Sequence, residues 1–282
     1  MTIPLLPGLY IVATPIGNLG DITLRAITVL RGVSAVACED TRITGRLLHH
    51  LEIKQRLIRY DDHADDHSRE HLLGLMATAP VALVSDAGTP LISDPGYRLV
   101  RAARERGIPI TSLPGPSAAI TALTLAGLPS DRFLFAGFLP AKAKARGDVL
   151  AQLADVPATL VFYETGPRLG DALAAIGAVL PGREVAVARE LTKLFEECRS
   201  GSADELAAHY TGHPPKGEIV LLIGPPVAQE TAPADADAML LAELAHAKPS
   251  QAAASVAKRT GIDRKELYAK ALALKNNALA LK

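Results

Sequence analysis

The sequence predicts an α/β chain of two halves, each built around its own sheet, followed by a small all-helical tail. Three observations carry that reading. Between Leu9 and Ala126, five short apolar runs rich in β-branched residues alternate with stretches of helical periodicity. Strands joined through helices need right-handed crossovers and a mainly parallel sheet. Beyond residue 131 the apolar runs lie closer together, which leaves room for hairpins and so for a mixed sheet. Pro225 to Ala238 is rich in Pro, Ala and acid, and the chain after it is helical and basic. These boundaries give an N-terminal α/β domain, 1–130, a second α/β domain, 131–226, a linker, 227–238, and a basic helical domain, 239–282.

The first strand, Leu9 to Ala13, runs into Thr14-Pro15-Ile16-Gly17-Asn18-Leu19-Gly20-Asp21. Thr23 to Arg31 follows as a helix with Leu24, Ile27 and Leu30 on one face and Gly32 as its stop. Val33 to Cys38 is the second strand, closing on Glu39-Asp40-Thr41-Arg42 at the start of a helix to Leu51. Arg56 to Tyr60 is a third strand and Ser68 to Ala79 a helix. Val81 to Val84 is the fourth strand, and the loop Ser85 to Gly96 separates it from a helix over Tyr97 to Arg106. Ile108 to Leu113 is strand-like, Pro114-Gly115-Pro116-Ser117 turns, and Ser117 is placed to cap a helix over Ala118 to Ala126. Both corners are rich in Gly and Pro and leave the carboxyl edge of a sheet, where small ligands bind in α/β folds. They predict one pocket floor.

In the second half, Phe133 to Pro140 is the hinge, and a helix over Ala141 to Ala154 opens with Lys142, Lys144 and Arg146. Strands are expected at Ala158–Tyr163, Glu184–Ala188, Phe195–Arg199 and Glu218–Ile223, with helices at Arg168–Leu180 and Ala203–Tyr210. In the tail, Pro249-Ser250 starts a helix, Gly261 breaks it, and Asp263-Arg264-Lys265-Glu266 is a capping box for another helix that carries Leu267, Ala271 and Leu274. The pair resembles a helix-turn-helix.

Composition excludes several classes. With 282 residues and 49% apolar side chains the chain builds a sizeable core. The absence of Trp and the 4% aromatic content argue against a platform that stacks several splayed bases. Cys38 and Cys198, far apart in apolar runs, fit reduced thiols of a cytoplasmic protein. Met1-Thr2-Ile3-Pro4 lacks the basic start of a signal peptide. The longest uncharged stretch, Gly107 to Ser130, is divided by Pro109, Pro114, Pro116 and Pro129, so it is core and not membrane. From Lys248 onward there are eight basic residues against two acidic ones, a surplus of +6 that leaves −6 on the remainder of a neutral chain. A basic tail on an acidic body suits a polyanion partner.

No G-x-x-x-x-G-K-[ST] is present, which argues against a P-loop nucleotidase, and no G-x-G-x-x-G follows the first strand. Asp61-Asp62-His63-Ala64-Asp65-Asp66-His67, with His71 one turn on, has metal-ligand spacing. The same residues make a sound acidic helix entry, and no metal is assigned.

Five strings resemble the ribosomal RNA small subunit methyltransferase I family: Val12 to Thr23, Glu39-Asp40-Thr41-Arg42, Ser85 to Gly96, Pro114 to Ala118, and Arg189-Glu190-Leu191-Thr192-Lys193. The resemblance runs from Leu9 to about Tyr268. It implies a tetrapyrrole-methylase-like fold with the cofactor cleft between two α/β domains, S-adenosyl-L-methionine as methyl donor, 2'-O-methylation of a cytidine ribose in the decoding region of 16S rRNA, and a homodimer. By the family's pattern, Pro15, Asp86, Gly88, Thr89, Ile92, Ser117 and Ala118 line the donor site from the first domain. Phe162, Tyr163 and Leu191, with the segment Gly217-Glu218-Ile219, close it from the second. The acceptor hydroxyl needs a group that takes its proton or steadies its charge. Candidates are Glu39, Asp40, Asp94, Glu164, Glu190 and Lys193; Asp40, Glu190 and Lys193 are assigned to catalysis, with either Asp40 or Glu190 assisting. Arg42 and Lys193, with Lys258, Arg259, Arg264 and Lys265 of the tail, are assigned to 16S rRNA or the small subunit.

The chain departs from the family's pattern twice. Tyr163-Glu164-Thr165-Gly166-Pro167-Arg168 stands where the family shows Tyr-Glu-Ser-Pro-His-Arg, and Leu194-Phe195 stands where a histidine follows Leu-Thr-Lys. Two other readings suit the same features: a methylase of this fold acting on a tetrapyrrole, and a binding module that holds S-adenosylmethionine or a nucleotide without turnover.

Overall fold

The computed structural model describes residues 5–61, 66–212, 215–226, 233–260 and 262–280, with main chain only at 233–235, 258–259 and 276–280. The chain divides into two compact units, Met1–Pro226 and Val227–Lys282.

In the first unit, β1 (Gly8–Val12), β2 (Ala35–Cys38), β3 (Leu57–Arg59), β4 (Pro80–Val84) and β5 (Ile110–Leu113) form one all-parallel sheet in the order β3-β2-β4-β1-β5. Helices cover both faces of such a sheet, so its strands read as continuous apolar runs, and β2 is buried throughout. Alternation sorts the side chains. Val81 and Leu83 of β4 pack with Leu99 and Ala103 of α4 (Tyr97–Glu105), whereas Ala82 and Val84 pack with Ala26, Val29 and Leu30 of α1 (Leu24–Gly32) and Leu48 of α2 (Thr41–His50). The helices after the neighbouring strands β1 and β4 therefore lie on opposite faces. That makes a topological switch point, and a crevice opens beyond the ends of these strands.

A second sheet has the order β6-β7-β10-β8-β9, from β6 (Phe133–Phe138), β7 (Thr159–Thr165), β8 (Val185–Arg189), β9 (Glu197–Gly201) and β10 (Glu218–Ile223). Only β6 and β7 run parallel; the other three pairings are antiparallel. The helices α6 (Ala143–Gln152), α7 (Gly166–Val179) and α8 (Ala203–Gly212) cover one face, around Leu160, Phe162, Leu221 and Tyr210. The other face receives α5 (Ala118–Leu125), whose Ala119, Ala122 and Leu123 pack on Val161, Ala186, Val220 and Leu222. The helix that follows the last strand of the first sheet thus serves as a layer of the second. The two halves share a core, and α5 packs across the expected boundary at residue 130.

Several details differ from the sequence reading. Leu24 is 83% exposed, because it stands at the first turn beside the cap Thr23, whose hydroxyl accepts from Ala26 N at 3.0 Å; Ala26, Val29 and Leu30 form the buried stripe. Strand β9 begins at Glu197 and not at Phe195, after a turn that leaves Leu194 and Phe195 89% and 70% exposed. Arg146, which follows Lys142 and Lys144 at the start of its helix, is buried, with Asp171 at 3.4 Å.

In the second unit, α9 (Pro233–Leu244), α10 (Pro249–Thr260) and α11 (Arg264–Ala280) enclose a core of Ala236, Leu240, Ala252, Ala253, Val256, Leu267 and Ala271. Helix α9 occupies the second part of the expected linker, since proline is well tolerated in a first turn; residues 227–232 lie outside the described residues. Asp263 Oδ1 accepts from Lys265 N and Glu266 N at 2.8 and 3.2 Å, which caps α11. Among the described residues no helix is long and apolar enough to cross a membrane.

Candidate functional site

Three loops leave the carboxyl ends of β1, β4 and β5 and are tied together by one backbone pairing and by side-chain hydroxyls that donate to main-chain carbonyls. Thr14 and Gly88 exchange both backbone hydrogen bonds, at 2.9 and 3.0 Å. Thr14 Oγ1 donates to Ser85 O at 3.1 Å, Ser85 Oγ to Gly88 O at 3.0 Å, and Thr89 Oγ1 across to Pro116 O at 2.9 Å. The fit is tight enough to require glycine. At Gly88, with φ +80°, a Cβ would stand 3.2 Å from Ile16 Cγ2; at Gly115 it would meet Ala13 Cβ at 2.8 Å.

This floor faces the second sheet across a cleft of about 180 Å³. Asp86, Gly88, Thr89, Ile92, Ser117 and Ala118 line it from the first half, and Tyr163, Glu190, Leu191 and Lys193 from the second. Two expected residues do not. The Thr14–Gly88 pairing fixes the main chain so that Ile16, not Pro15, reaches the cleft. The Phe162 side chain falls on the far face of β7, fully buried against α7 and α8, because neighbours on a strand point to opposite sides and Tyr163 faces the cleft. Ser117 holds the expected position before α5, yet its hydroxyl makes no capping bond.

Sequence reasoning missed Phe138. A bulge between Phe135 and Phe138, with Gly137 at φ +69°, turns this side chain toward the cleft, 5.6 Å edge-on from the Tyr163 ring. The glycine inside an aromatic run was the signal for that bulge. Backbone strain gathers here too. Among the described residues five non-glycine residues have positive φ, and four of them, Leu91, Ser93, Glu190 and Thr192, belong to the two loops bounding the cleft.

The carboxylates differ in surroundings. Asp94 is pushed up to about 6, first by burial and then by Glu39, Asp86 and Glu218, against a hydrogen bond from Ser85. Burial also raises Glu39 and Asp86. Glu164 is fully buried; its Oε1 accepts from Thr165 N and lies 3.2 Å from Arg168 Nε, whereas Oε2 has no partner. Glu190 Oε1 holds Lys193 Nζ at 3.0 Å, and the Lys193 stem lies over Gly17.

Asp40 and Arg42 stand apart, in a neighbouring recess formed with Glu39, Thr41, Arg59 and Asp86. Asp40 caps α2 by accepting from Arg42 N at 2.8 Å, and its carboxylate holds the Arg42 side chain at 2.5 Å. The Arg42 hydrogen bonds keep Asp40 well below the usual carboxylate range. A group so hard to protonate is a poor proton acceptor, so Asp40 is an anchor for Arg42 and not the expected catalyst. In the tail, Arg264 and Lys265 are exposed in the first turn of α11; the side chains of Lys258 and Arg259 lie outside the described residues. Of the stretch 61–71, residues 62–65 lie outside them as well, and Asp66 pairs with Arg69. Among the described residues no three His, Cys, Asp or Glu side chains are grouped to hold a metal ion.

A family model described as Tetrapyrrole (Corrin/Porphyrin) Methylases matches residues 8–207. A protein of Erythrobacter litoralis (strain HTCC2594) named ribosomal RNA small subunit methyltransferase I is 65% identical over 274 residues, which cover 96% of this chain and 97% of that one. The chain belongs to the ribosomal RNA small subunit methyltransferase I family. Relatives of the same name from Mesorhizobium japonicum (strain LMG 29417 / CECT 9101 / MAFF 303099) and Escherichia coli O157:H7 are each 50% identical; the first match covers 98% of this chain and 95% of the relative, the second 94% of each. Residues 230–275 match a model described as the RsmI C-terminal HTH domain. Two solved structures share the fold: uroporphyrin-III-C-methyltransferase from Thermus thermophilus, with a TM-score of 0.56 and 23% identity over 78% of this chain and 94% of that one, and a diphthine synthase, with 0.61 and 14% over 77% and 89%. The first unit has the tetrapyrrole methylase fold, and a helical domain follows it.

Proposed function

We propose that this protein transfers the methyl group of S-adenosyl-L-methionine to the 2'-oxygen of a cytidine ribose in the decoding region of 16S rRNA, acting on the RNA or the small subunit in the cytoplasm as a homodimer. The observation that carries the reading is the three-loop floor facing β7 and β10. It is a glycine-floored cradle with a net acidic lining, beside a recess that presents Arg42 to solvent. The membership of the chain in a family named for this RNA supports the acceptor.

The residues fit a cationic donor. Asp86, Asp94, Glu164, Glu190 and Glu218 line the cleft against one lysine, and the partnerless Glu164 Oε2 is an acceptor held ready in a buried place. Asp86, Gly88, Thr89, Ile92, Ser117 and Ala118 would hold the donor from below, and Tyr163 and Leu191 from above. When bound, the donor supplies an electrophilic methyl group on a sulfonium. The protein's share is to align the acceptor oxygen, exclude water and take up the acceptor's proton. Rigid loops under backbone strain suit the first task, and Phe138, Tyr163 and Ile92 suit the second. Lys193 at the cleft, with Arg42, Arg264 and Lys265 exposed, supplies cations for phosphate.

The test is incubation with methyl-labelled donor and small subunits from cells lacking the protein, then mass spectrometry of nuclease fragments. One added methyl on a cytidine ribose of the decoding region is expected. Label on a porphyrinogen and none on the subunits would overturn the reading in favour of tetrapyrrole methylation, and donor binding without transfer to either would favour a binding module.

A further inference from the structure

Methyl transfer to a hydroxyl leaves a proton to be placed, and most carboxylates of the cleft are already engaged. Glu190 is held by Lys193 at 3.0 Å, Glu164 has Arg168 at 3.2 Å, and Asp86 accepts from the backbone of Asp40 at 3.2 Å. Asp94 and Glu218 remain: among the described residues no cation pairs with either, and Glu218 is exposed whereas Asp94 is half-buried. Asp94 stands on the loop after β4, at the lining of the cleft, between two residues that fix the backbone, Ser93 at φ 62° and Gly96 at φ 131°. The groups that face it are acids or hydroxyls from four places: Glu39 after β2, Asp86 and Ser85 of its own loop, Tyr163 of β7 and Glu218 of β10.

We propose that Asp94 takes the proton of the acceptor hydroxyl, and that a cationic donor in the cleft is what holds its carboxylate ionised until the methyl group moves. The inference rests on the methyl-transfer reading above. The step balances without a further reagent. The O–C bond forms as the C–S bond breaks, the bonding pair stays on sulfur, and the O–H proton passes to Asp94. A positive sulfonium and a negative carboxylate become a neutral thioether and a neutral acid. An uncompensated carboxylate among other carboxylates favours its protonated form, and a nearby positive charge reverses that preference. The charge that ionises Asp94 therefore disappears in the same event that delivers the proton, and Asp94 becomes a stronger base as it is needed.

Proton-linked calorimetry tests this without turnover. The full-length protein is titrated with S-adenosylmethionine, and separately with its neutral thioether product, in buffers of different ionisation enthalpy. Near pH 6 the donor is expected to displace about half a proton, because Asp94 titrates at about 6 before binding. The product, which shares every other ionising group, is expected to displace almost none. Asp94→Asn abolishes the difference while still binding donor, and lowers single-turnover methyl transfer about 100-fold or more. Glu218→Gln, which removes one facing acid, moves the pH of greatest proton release downward and guards against an Asp94 variant that fails to fold. Equal proton release with donor and product, or an undiminished release in the Asp94→Asn protein, would overturn the proposal while leaving the methyl-transfer reading intact. Donor-linked proton release without methyl transfer to subunits at any pH would defeat that reading, and the catalytic role of Asp94 with it.

Discussion

The floor of the cleft is joined at main-chain carbonyls, and the side opposite is side chain. Below, Thr14, Ser85, Gly88, Thr89 and Pro116 join three loops through bonds that mostly end on backbone atoms. Above, Tyr163, Glu164, Glu190, Leu191 and Lys193 contribute what alternation and a strained turn make them present. The floor depends on three hydroxyls and on glycines that admit no added Cβ, whereas the surface opposite depends on strand register. The two sides should therefore fail in different ways.

The sharpest contrast lies within two residues of β7. Phe162→Ala empties a fully buried site and is expected to cost about 3–5 kcal/mol of stability, while the protein that remains folded binds donor normally. Tyr163→Ala, one residue on, is expected to cost less in stability and to weaken donor binding, since this ring lines the cleft beside Phe138. Urea unfolding set beside calorimetric donor affinity separates them. Equal loss of donor affinity in both would mean that the two sides of β7 are not distinct in function.

That pair also shows how much was legible in the sequence. The order of strands and helices in the first half followed from periodicity, and Gly88, Thr89 and Ser117 could be assigned to the floor because Gly, Pro, Ser and Thr between a strand and a helix announce a turn at a sheet edge. Nothing in Phe162-Tyr163 says which ring faces which layer. Both are aromatic, and the answer depends on α5 packing across the second sheet, a long-range event. Asp40 was misjudged for a related reason. A carboxylate at a helix entry looks the same in sequence whether it is a proton acceptor or a cap, and only the 2.5 Å contact with Arg42 decides. Asp94 was among the sequence's candidates for the proton, but nothing local set it above the others, because its neighbours Glu39 and Glu218 come from distant strands.

On the floor, Gly88→Val places a β-branched side chain at φ +80°, against Ile16 and near Pro116 O. The strain of about 1–3 kcal/mol falls on the binding loop, so donor affinity is expected to fall about 5- to 150-fold with little change in the far-ultraviolet circular dichroism spectrum. Unchanged affinity would show that the floor loop relaxes, and that its strain is not part of the site.

Asp94 links the two sides, and its effect on stability has a definite sign. Its carboxyl titrates at about 6 in the folded chain and near 3.9 unfolded. The stabilisation it allows is complete below pH 4 and is lost as the pH rises through 6. Asp94→Asn escapes that loss. Without donor, the variant is expected to gain about 1 kcal/mol on the native protein between pH 4 and pH 8, after allowance for solvent screening, or a few degrees in Tm. Thermal scans at the two pH values check it; a gain that is the same at both would mean that Asp94 is not raised.

The smallest effect should come from Arg42, which lies outside the cleft and is 87% exposed in its side chain. Arg42→Ala leaves the helix cap in place, since Asp40 still accepts from the backbone N–H of residue 42, so neither the fold nor the floor has reason to change. Lys193 is a less clean target, because its stem covers Gly17 and its amine holds Glu190, so removing it disturbs both sides of the cleft at once. For Arg42→Ala, donor affinity is expected to stay within experimental error, while affinity for small-subunit RNA falls a few-fold and the slope of log affinity against log salt shrinks by about 1. Titrations of RNA at several salt concentrations measure both quantities. A lower affinity with an unchanged slope would mean that Arg42 acts through shape or through Asp40, and not by contact with a phosphate.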